Sequence, residues 1–276
     1  MIKHGWLKLI KQEGTIDVQE EIPGLIFLEA KPSYPTQITN NVKMNGIDGE
    51  IPGVITYDPF NLVVKIGFDG VDIIDVDLLE EKLRGLFSTR QRYYVVTSQM
   101  PAKKYAVDSP VISAEYLGTS AVKFEITFNV FKGYSESLYK TDQFSLMSDK
   151  WQFESGLIPD YDVKYKHTRT KFKIFNGSKD TINPRFHELK IWIRGNSDKA
   201  FKIVNKTTGD VFEFKGELRR NQSLLIDGVY PYLDLKRCGR MTNHGVISLA
   251  SGFNDFEVWG SISKFEIEFV FNYIYR

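Results

Sequence analysis

The chain is 276 residues long, 42% hydrophobic and 14% aromatic, with 36 basic against 35 acidic side chains and a single cysteine, Cys238. That length suits two average domains or one large β domain, either able to bury a core without a metal or disulfide staple. One cysteine excludes a disulfide scaffold, a net charge of +1 lacks the basic excess of a duplex-binding protein, and the apolar content excludes intrinsic disorder.

The first apolar residues are interrupted at Lys8 and Lys11, too early for a signal-peptide core, and no stretch approaches the roughly 20 apolar residues that span a bilayer. The sequence therefore predicts a soluble protein made in a reducing cytoplasm. Periodicity of two dominates from there on, the mark of half-buried strands. Strands are expected over 26–30, 62–68, 93–97, 122–130, 171–175, 189–193, 211–214 and 224–226, closed by an aromatic strand through 265–275. In the strand over 122–130 every even-numbered residue is apolar, while Lys123, Glu125, Thr127 and Asn129 occupy the other face. Turn signals at Asn45-Gly46, Asp48-Gly49, Asp69-Gly70, Asn176-Gly177 and Asp227-Gly228 separate the runs.

One stretch reads as helix, 77–87, because Leu79, Leu83, Leu86 and Phe87 recur on one face, with Asp77 as cap and Glu80 completing a capping box. The polar run 132–142 marks a boundary between two β domains. The expected organisation is a first domain over 1–136 containing helix 77–87, a linker over 137–149 and a second domain over 150–276. Residues 1–150 hold 16 basic against 20 acidic side chains, and residues 151–276 hold 20 against 15.

The motifs that carry chemistry nominate no catalytic, cofactor-binding or metal-ligating residue. Phosphate-binding glycine loops are absent, because Gly46, Gly49 and Gly53 have the wrong spacing, and no G-x-S-x-G elbow exists. His4, His167, His187 and His244 never fall at the spacing that puts two imidazoles on one helical face. Asp69, Asp72, Asp75 and Asp77 could collect calcium, but their spacing is not that of an EF-hand loop and favours turn and cap duty. The basic run Lys164, Lys166, His167, Arg169, Lys171 and Lys173 reads better as a strand with one solvated face than as a nucleic-acid groove. Trp151, Trp192, Trp259, Tyr230 and Tyr232 suit a sugar-stacking platform, though core packing is the commoner use of such side chains. Thr181-Ile-Asn-Pro-Arg-Phe186 resembles the galectin H-x-N-P-R-F sugar-binding strand, with Thr181 in the histidine place and no W-x-x-E-x-R partner after it.

Across nearly its whole length the chain resembles the distal tail protein (Dit) family of siphophages, bacteriophages with long non-contractile tails. The resemblance rests on pieces in the expected order: Phe27-Leu-Glu-Ala30, Asn45-Gly-Ile-Asp-Gly49, Tyr57-Asp-Pro59, the strand 62–68, the single helix, Pro101-Ala-Lys-Lys-Tyr105 and the long strand ending at Phe131. In the second half follow Thr208-Gly-Asp-Val-Phe212, Gly216-Glu-Leu218, Ser223-Leu-Leu-Ile-Asp227 and Ser251-Gly-Phe-Asn254. It implies a mainly β fold: an N-terminal β-sandwich with one α-helix and a projecting β-hairpin, plus a C-terminal galectin-like or jelly-roll β-sandwich. It also implies a structural hub of the tail tip or baseplate in the virion, a homo-hexameric ring without enzymatic activity and without cofactors. The implied partners are the tail tube and tape-measure proteins on one side, and the tail-associated lysin or fibre and receptor-binding proteins on the other. DNA would pass through the ring without specific binding, as the acidic balance of the first half suits. The rivals are a lectin-like carbohydrate-binding module for host cell-wall attachment and a jelly-roll glycosidase.

Overall fold

The structure is a computed structural model that describes residues 5–143 and 163–276. It is mostly antiparallel strand and divides into two compact units, residues 1–136 with Arg276, and residues 137–275.

The first unit is built on a ten-pair ladder between Phe60–Asp69 and Ala121–Val130, running from Val130 opposite Phe60 to Ala121 opposite Asp69. Because alternate side chains of a strand point to opposite faces, this register puts Leu62, Val64 and Ile66 on one buried face with Phe124, Ile126 and Phe128. Ile26–Pro32 and Val111–Tyr116 extend the ladder on its two edges. A second layer, ordered Gly14–Asp17, Leu7–Lys11, Tyr93–Thr97 and Lys103–Val107, joins the first where Val107 pairs with Val130. The layers form a β-sandwich whose core also takes in Leu7, Leu9 and Val95.

The helix spans Ile73–Phe87, one turn longer at its start than the sequence pattern indicates, and its cap is Asp72, not Asp77. The Asp72 carboxylate accepts from the backbone amides of Ile74 (2.9 Å) and Asp75 (3.1 Å), and Asp75 accepts from the Val71 amide at 2.9 Å. Ile73 and Ile74 hid the true start, because apolar residues ahead of Asp77 do not read as a first helical turn. Val76, Leu79, Leu83 and Phe87 bury the inner face. A second, four-residue helix, Val18–Glu21, is capped by Asp17, so the first unit has two helices where one was expected.

The second unit packs a six-stranded sheet against a four-stranded one. The order in the larger is Lys166–His167, Ser263–Phe271, Leu189–Asn196, Leu224–Asp227, Tyr230–Leu233 and Lys236–Arg237. The smaller is Lys171–Asn176, Gly252–Trp259, Phe201–Asn205 and Asp210–Phe214. Phenylalanines join the layers: Phe172 stacks on Phe256 at 5.4 Å, and Phe256 meets Phe269 of the other sheet at 4.9 Å. The closing strand stops at Phe271, short of the eleven residues its alternation suggested. From Val270 to Ile274 every residue is buried, so period two ends there, and Asn272 and Tyr273 bond to Ser137 instead of continuing the ladder.

The basic run divides between the two sheets: Lys166–His167 belongs to the larger, and the solvated strand face of the smaller begins at Lys171 rather than Arg169. Phe172 and Ile174 point inward, and Lys171 and Lys173 pair across the sheet with Glu257 (3.0 Å) and Asp255 (3.2 Å). Lys206 reaches the other oxygen of Glu257 at 2.9 Å. Hydrogen bonds from Lys206 and then Lys171 hold the Glu257 carboxyl down to about 2, from an ordinary value of 4.5.

Asp72→Ala should destabilise the first unit by about 1 kcal/mol while Asp77→Ala stays within about 0.5 kcal/mol, as read by urea unfolding. Because the folded pKa of Glu257 lies below its unfolded one, its contribution is fully present above 4.5 and disappears as pH falls through about 2. Melting temperatures followed down that window should show a drop that Glu257→Gln reduces; an unchanged profile in the variant would remove Glu257 from the acid response.

Candidate assembly interface

Between Pro32 and Phe60 the chain leaves the sandwich as a two-stranded ribbon. Its root is fixed on both sides: the Ser33 amide donates to the Asn61 carbonyl (2.7 Å), the Asn61 amide donates to the Ser33 hydroxyl (3.0 Å), and the Asp58 amide donates to the Thr36 carbonyl (2.9 Å). Gln37–Thr39 pairs with Ile55–Tyr57, and Val42 pairs with Ile51 further out. The turn signals Asn45-Gly46 and Asp48-Gly49 form the tip, where Gly46 and Gly49 adopt φ of 86° and 79°. Near the middle the Asn40 side chain donates to the Val54 carbonyl (2.7 Å), and Asn41 accepts from the Gly53 amide (3.1 Å). At Gly53 an added Cβ would lie 1.7 Å from the Asn40 carbonyl oxygen, so only glycine fits.

No residue from 36 to 59 is buried, yet the ribbon is rich in large apolar side chains. Val42, Met44, Ile47, Ile51 and Ile55 are each about half exposed, and Val54 is 76% exposed. A hairpin alone is marginal in water, and a cluster of exposed aliphatics is the ordinary sign of a surface that another molecule covers. The first unit carries a second such surface at the start of the helix, where Val71, Ile73, Ile74 and Leu78 are exposed beside Tyr116 and Leu117. The two surfaces are rooted at opposite ends of one strand, Phe60–Asp69, which at about 3.3 Å per residue is roughly 30 Å long.

Residues singled out in the sequence are distributed differently. Asp69, Asp72, Asp75 and Asp77 lie around the helix start, with Asp72 and Asp75 spent on backbone amides. Among the described residues no group of three or more His, Cys, Asp or Glu side chains is placed to hold a metal. Cys238 is buried, which pushes its thiol pKa up. The Thr181–Phe186 match forms a turn instead of a sugar-binding strand: the Asn183 side chain accepts from the Arg185 amide (3.1 Å), and its carbonyl accepts from His187 (2.8 Å). Trp151 lies outside the described residues. Core packing does not account for the other named aromatics, since Tyr230 and Trp259 are about half exposed and Trp192 and Tyr232 only part-buried. Residue-level reading did not single out the hairpin aliphatics. The available signal was an apolar run around two glycine turns with no alternation to assign it to a core.

Residues 12–130 match the family model described as the phage tail protein RIFT-related domain. No curated protein matches the sequence. Among solved structures the chain is similar to the SPP1 Dit protein, described as a paradigm of the hub adsorption apparatus in phages that infect Gram-positive hosts. That likeness has a TM-score of 0.71 at 12% identity and covers 99% of this chain and 100% of that one. A chain of the phage P2 baseplate in its activated conformation with calcium aligns at a TM-score of 0.44 and 12% identity, over 98% of each chain.

Gly53→Ala should loosen the outer ribbon while leaving the sandwich intact, seen as faster amide exchange at Val42 and Ile51 with an unchanged thermal midpoint. Equal protection in the variant would show that the close approach to Asn40 is not what orders the ribbon. The ribbon and the apolar helix start both belong to the first unit, whose residues 12–130 match the phage tail protein RIFT-related domain, in a chain whose fold is similar to that of the SPP1 Dit protein.

Proposed function

We propose that the protein is a structural hub of a siphophage tail tip or baseplate, in which six copies close a ring around the tail channel. The observation that carries this reading is the uncovered apolar ribbon over residues 36–59, in a unit that matches a phage tail domain. Its side chains cannot be covered from within their own sandwich, which already has a complete core. The second apolar surface, at the far end of the same strand, gives each copy a donor and an acceptor patch. Contacts of that heterologous kind close into a ring when the rotation between copies permits. Residues 1–136 therefore make the ring contacts, and the second unit, a β-sandwich of galectin-like type, is not needed to close the ring.

In this role the hub joins the tail tube and tape-measure proteins to the tail-associated lysin or fibre and the receptor-binding proteins, and it performs no catalysis. Host attachment through a carbohydrate site on the second unit is compatible with it, and the exposed Tyr230 beside Arg237 favours such a site.

Native mass spectrometry of the purified chain at micromolar concentration should give a hexamer, and electron micrographs should show closed rings. Ile47→Asp combined with Val54→Asp should yield monomers with the wild-type melting temperature, because both side chains are exposed. A wild-type monomer at tens of micromolar, or a double variant that still assembles, would overturn the assignment of ring contacts to the ribbon.

A further inference from the structure

Five Asn-Gly or Asp-Gly steps occur along the chain, at Asn45-Gly46, Asp48-Gly49, Asp69-Gly70, Asn176-Gly177 and Asp227-Gly228. Such a step is chemically weak, because glycine leaves its own amide nitrogen unshielded and able to approach the carbonyl carbon of the preceding side chain. Attack needs two things at once: a backbone amide that no acceptor holds, and a side chain free to turn toward it. The fold removes one or the other at three of the five steps. The Gly70 amide donates to the Ser120 carbonyl at 3.0 Å, and the Gly228 amide donates to the Leu189 carbonyl at 2.9 Å. Asn176 is buried, its side-chain nitrogen donating to the carbonyls of Asp180 (2.9 Å) and Leu249 (3.0 Å) and its oxygen accepting from the Ser178 amide (3.0 Å).

At the ribbon tip neither restraint operates. The last cross-strand pair is Val42 with Ile51, so residues 43–50 lie beyond the ladder. All of them are exposed, and Gly46 and Gly49 have no atom within 4 Å of the place a Cβ would take. Among the described residues neither the Asn45 side chain nor the Gly46 amide takes part in a hydrogen bond, and the same holds for Asp48 and Gly49. The nearest side-chain bond, from Asn41 to Glu50 at 3.2 Å, closes the base of this loop and leaves its tip unheld.

We propose that Asn45 is a site of spontaneous modification, converting to aspartate and isoaspartate in chains whose ribbon is still uncovered. The Gly46 nitrogen gives its proton to hydroxide and bonds to Asn45 Cγ, while the Cγ–Nδ2 bond breaks and ammonia leaves, closing an imide ring. Water then opens that ring at either carbonyl. Cleavage of the new Cγ–N bond gives aspartate, and cleavage of the original peptide C–N bond gives isoaspartate, whose main chain runs through the former side chain. No oxidant, enzyme or cofactor enters the balance. Asp48 reaches the same kind of imide by losing water, a slower route because a carboxylate is a poor electrophile. Either product of Asn45 puts a carboxylate two residues from Ile47, on a ribbon tip that already carries Asp48 and Glu50 against the cation of Lys43. The consequence for assembly rests on the ribbon being the ring contact, since a charge covered without a partner is costly. Modified chains are then the ones left out of rings, and ring formation protects the tip.

The test is incubation of the full-length protein in mildly alkaline buffer, with samples digested and each peptide weighed, and isoaspartate counted by enzymatic methylation. The Asn45 peptide should gain the mass of an amide-to-acid exchange more than about tenfold faster than the Asn176 peptide, whose reaction must wait for unfolding. In urea the two should react at similar rates. Asn45→Gln should abolish the mass gain and leave the melting temperature unchanged, because the side chain is exposed. Asn45→Asp should raise the protein concentration needed for half-assembly about tenfold or more, and chains in rings should lose ammonia more slowly than chains diluted below assembly. The proposal is overturned if Asn45 keeps its amide in the folded protein while reacting in urea, if Asn176 keeps pace with it in the folded protein, or if converted chains form rings as readily as fresh ones. A wild type that never assembles, yet converts at Asn45, would remove the assembly consequence together with the ring reading and leave the modification site standing.

Discussion

The antiparallel ladder between Phe60–Asp69 and Ala121–Val130 is the constraint on which the first unit depends. Ten consecutive pairs fix which side chains face inward, and a slip by one residue would turn Leu62, Val64 and Ile66 out to water. The same strand also places what lies outside the core. The hairpin is rooted just before Phe60, and the helix begins four residues after Asp69, so two apolar surfaces that a single copy leaves in water are set at opposite ends of one rigid rod. Two apolar patches held apart in this way cannot cover each other within one molecule. Strand geometry thus holds both apolar surfaces exposed at a fixed separation.

Much of this was legible from residue order alone, for a definite reason. A strand that is buried on one face and solvated on the other writes its burial directly into the sequence, so Val122, Phe124, Ile126, Phe128 and Val130 are all inside, as alternation requires. The helix was found by the same logic, but its start was not: the cap is set by which carboxylate reaches the free amides, and four aspartates within nine residues offer several solutions. Strands such as Lys103–Val107 and Phe201–Asn205 bury their last three residues in a row, which erases the period-two pattern.

The buried asparagines of the second unit show a further limit. Asn176 donates to the Leu249 carbonyl (3.0 Å), Asn205 to the Ser248 carbonyl (2.8 Å), and Asn254 accepts from the Ala250 amide (2.8 Å). These three side chains satisfy the backbone of a segment that has almost no strand partner, and so allow it to be buried without unpaired polar groups. Each sits at a strand end more than 40 residues away or just beyond the segment it serves. No local pattern distinguishes such an asparagine from one in an exposed turn; only the closed fold does.

Charge was readable as a total but not as a distribution. The excess of basic residues after position 150 is visible in the sequence, whereas its concentration is not, because the carboxylates that neutralise Lys166 and Lys171 lie about 90 to 100 residues away, at Glu266 and Glu257. Exposed pairs of this kind add little to stability, typically below about 1 kcal/mol each. Cations off these strand faces, such as Lys179, Lys199, Lys215 and Arg220, are exposed along the loops and turns of the unit. The neutralised face thus follows from strand register, with Lys171 opposite Glu257 and Lys173 opposite Asp255, which no count of charges along the chain reveals.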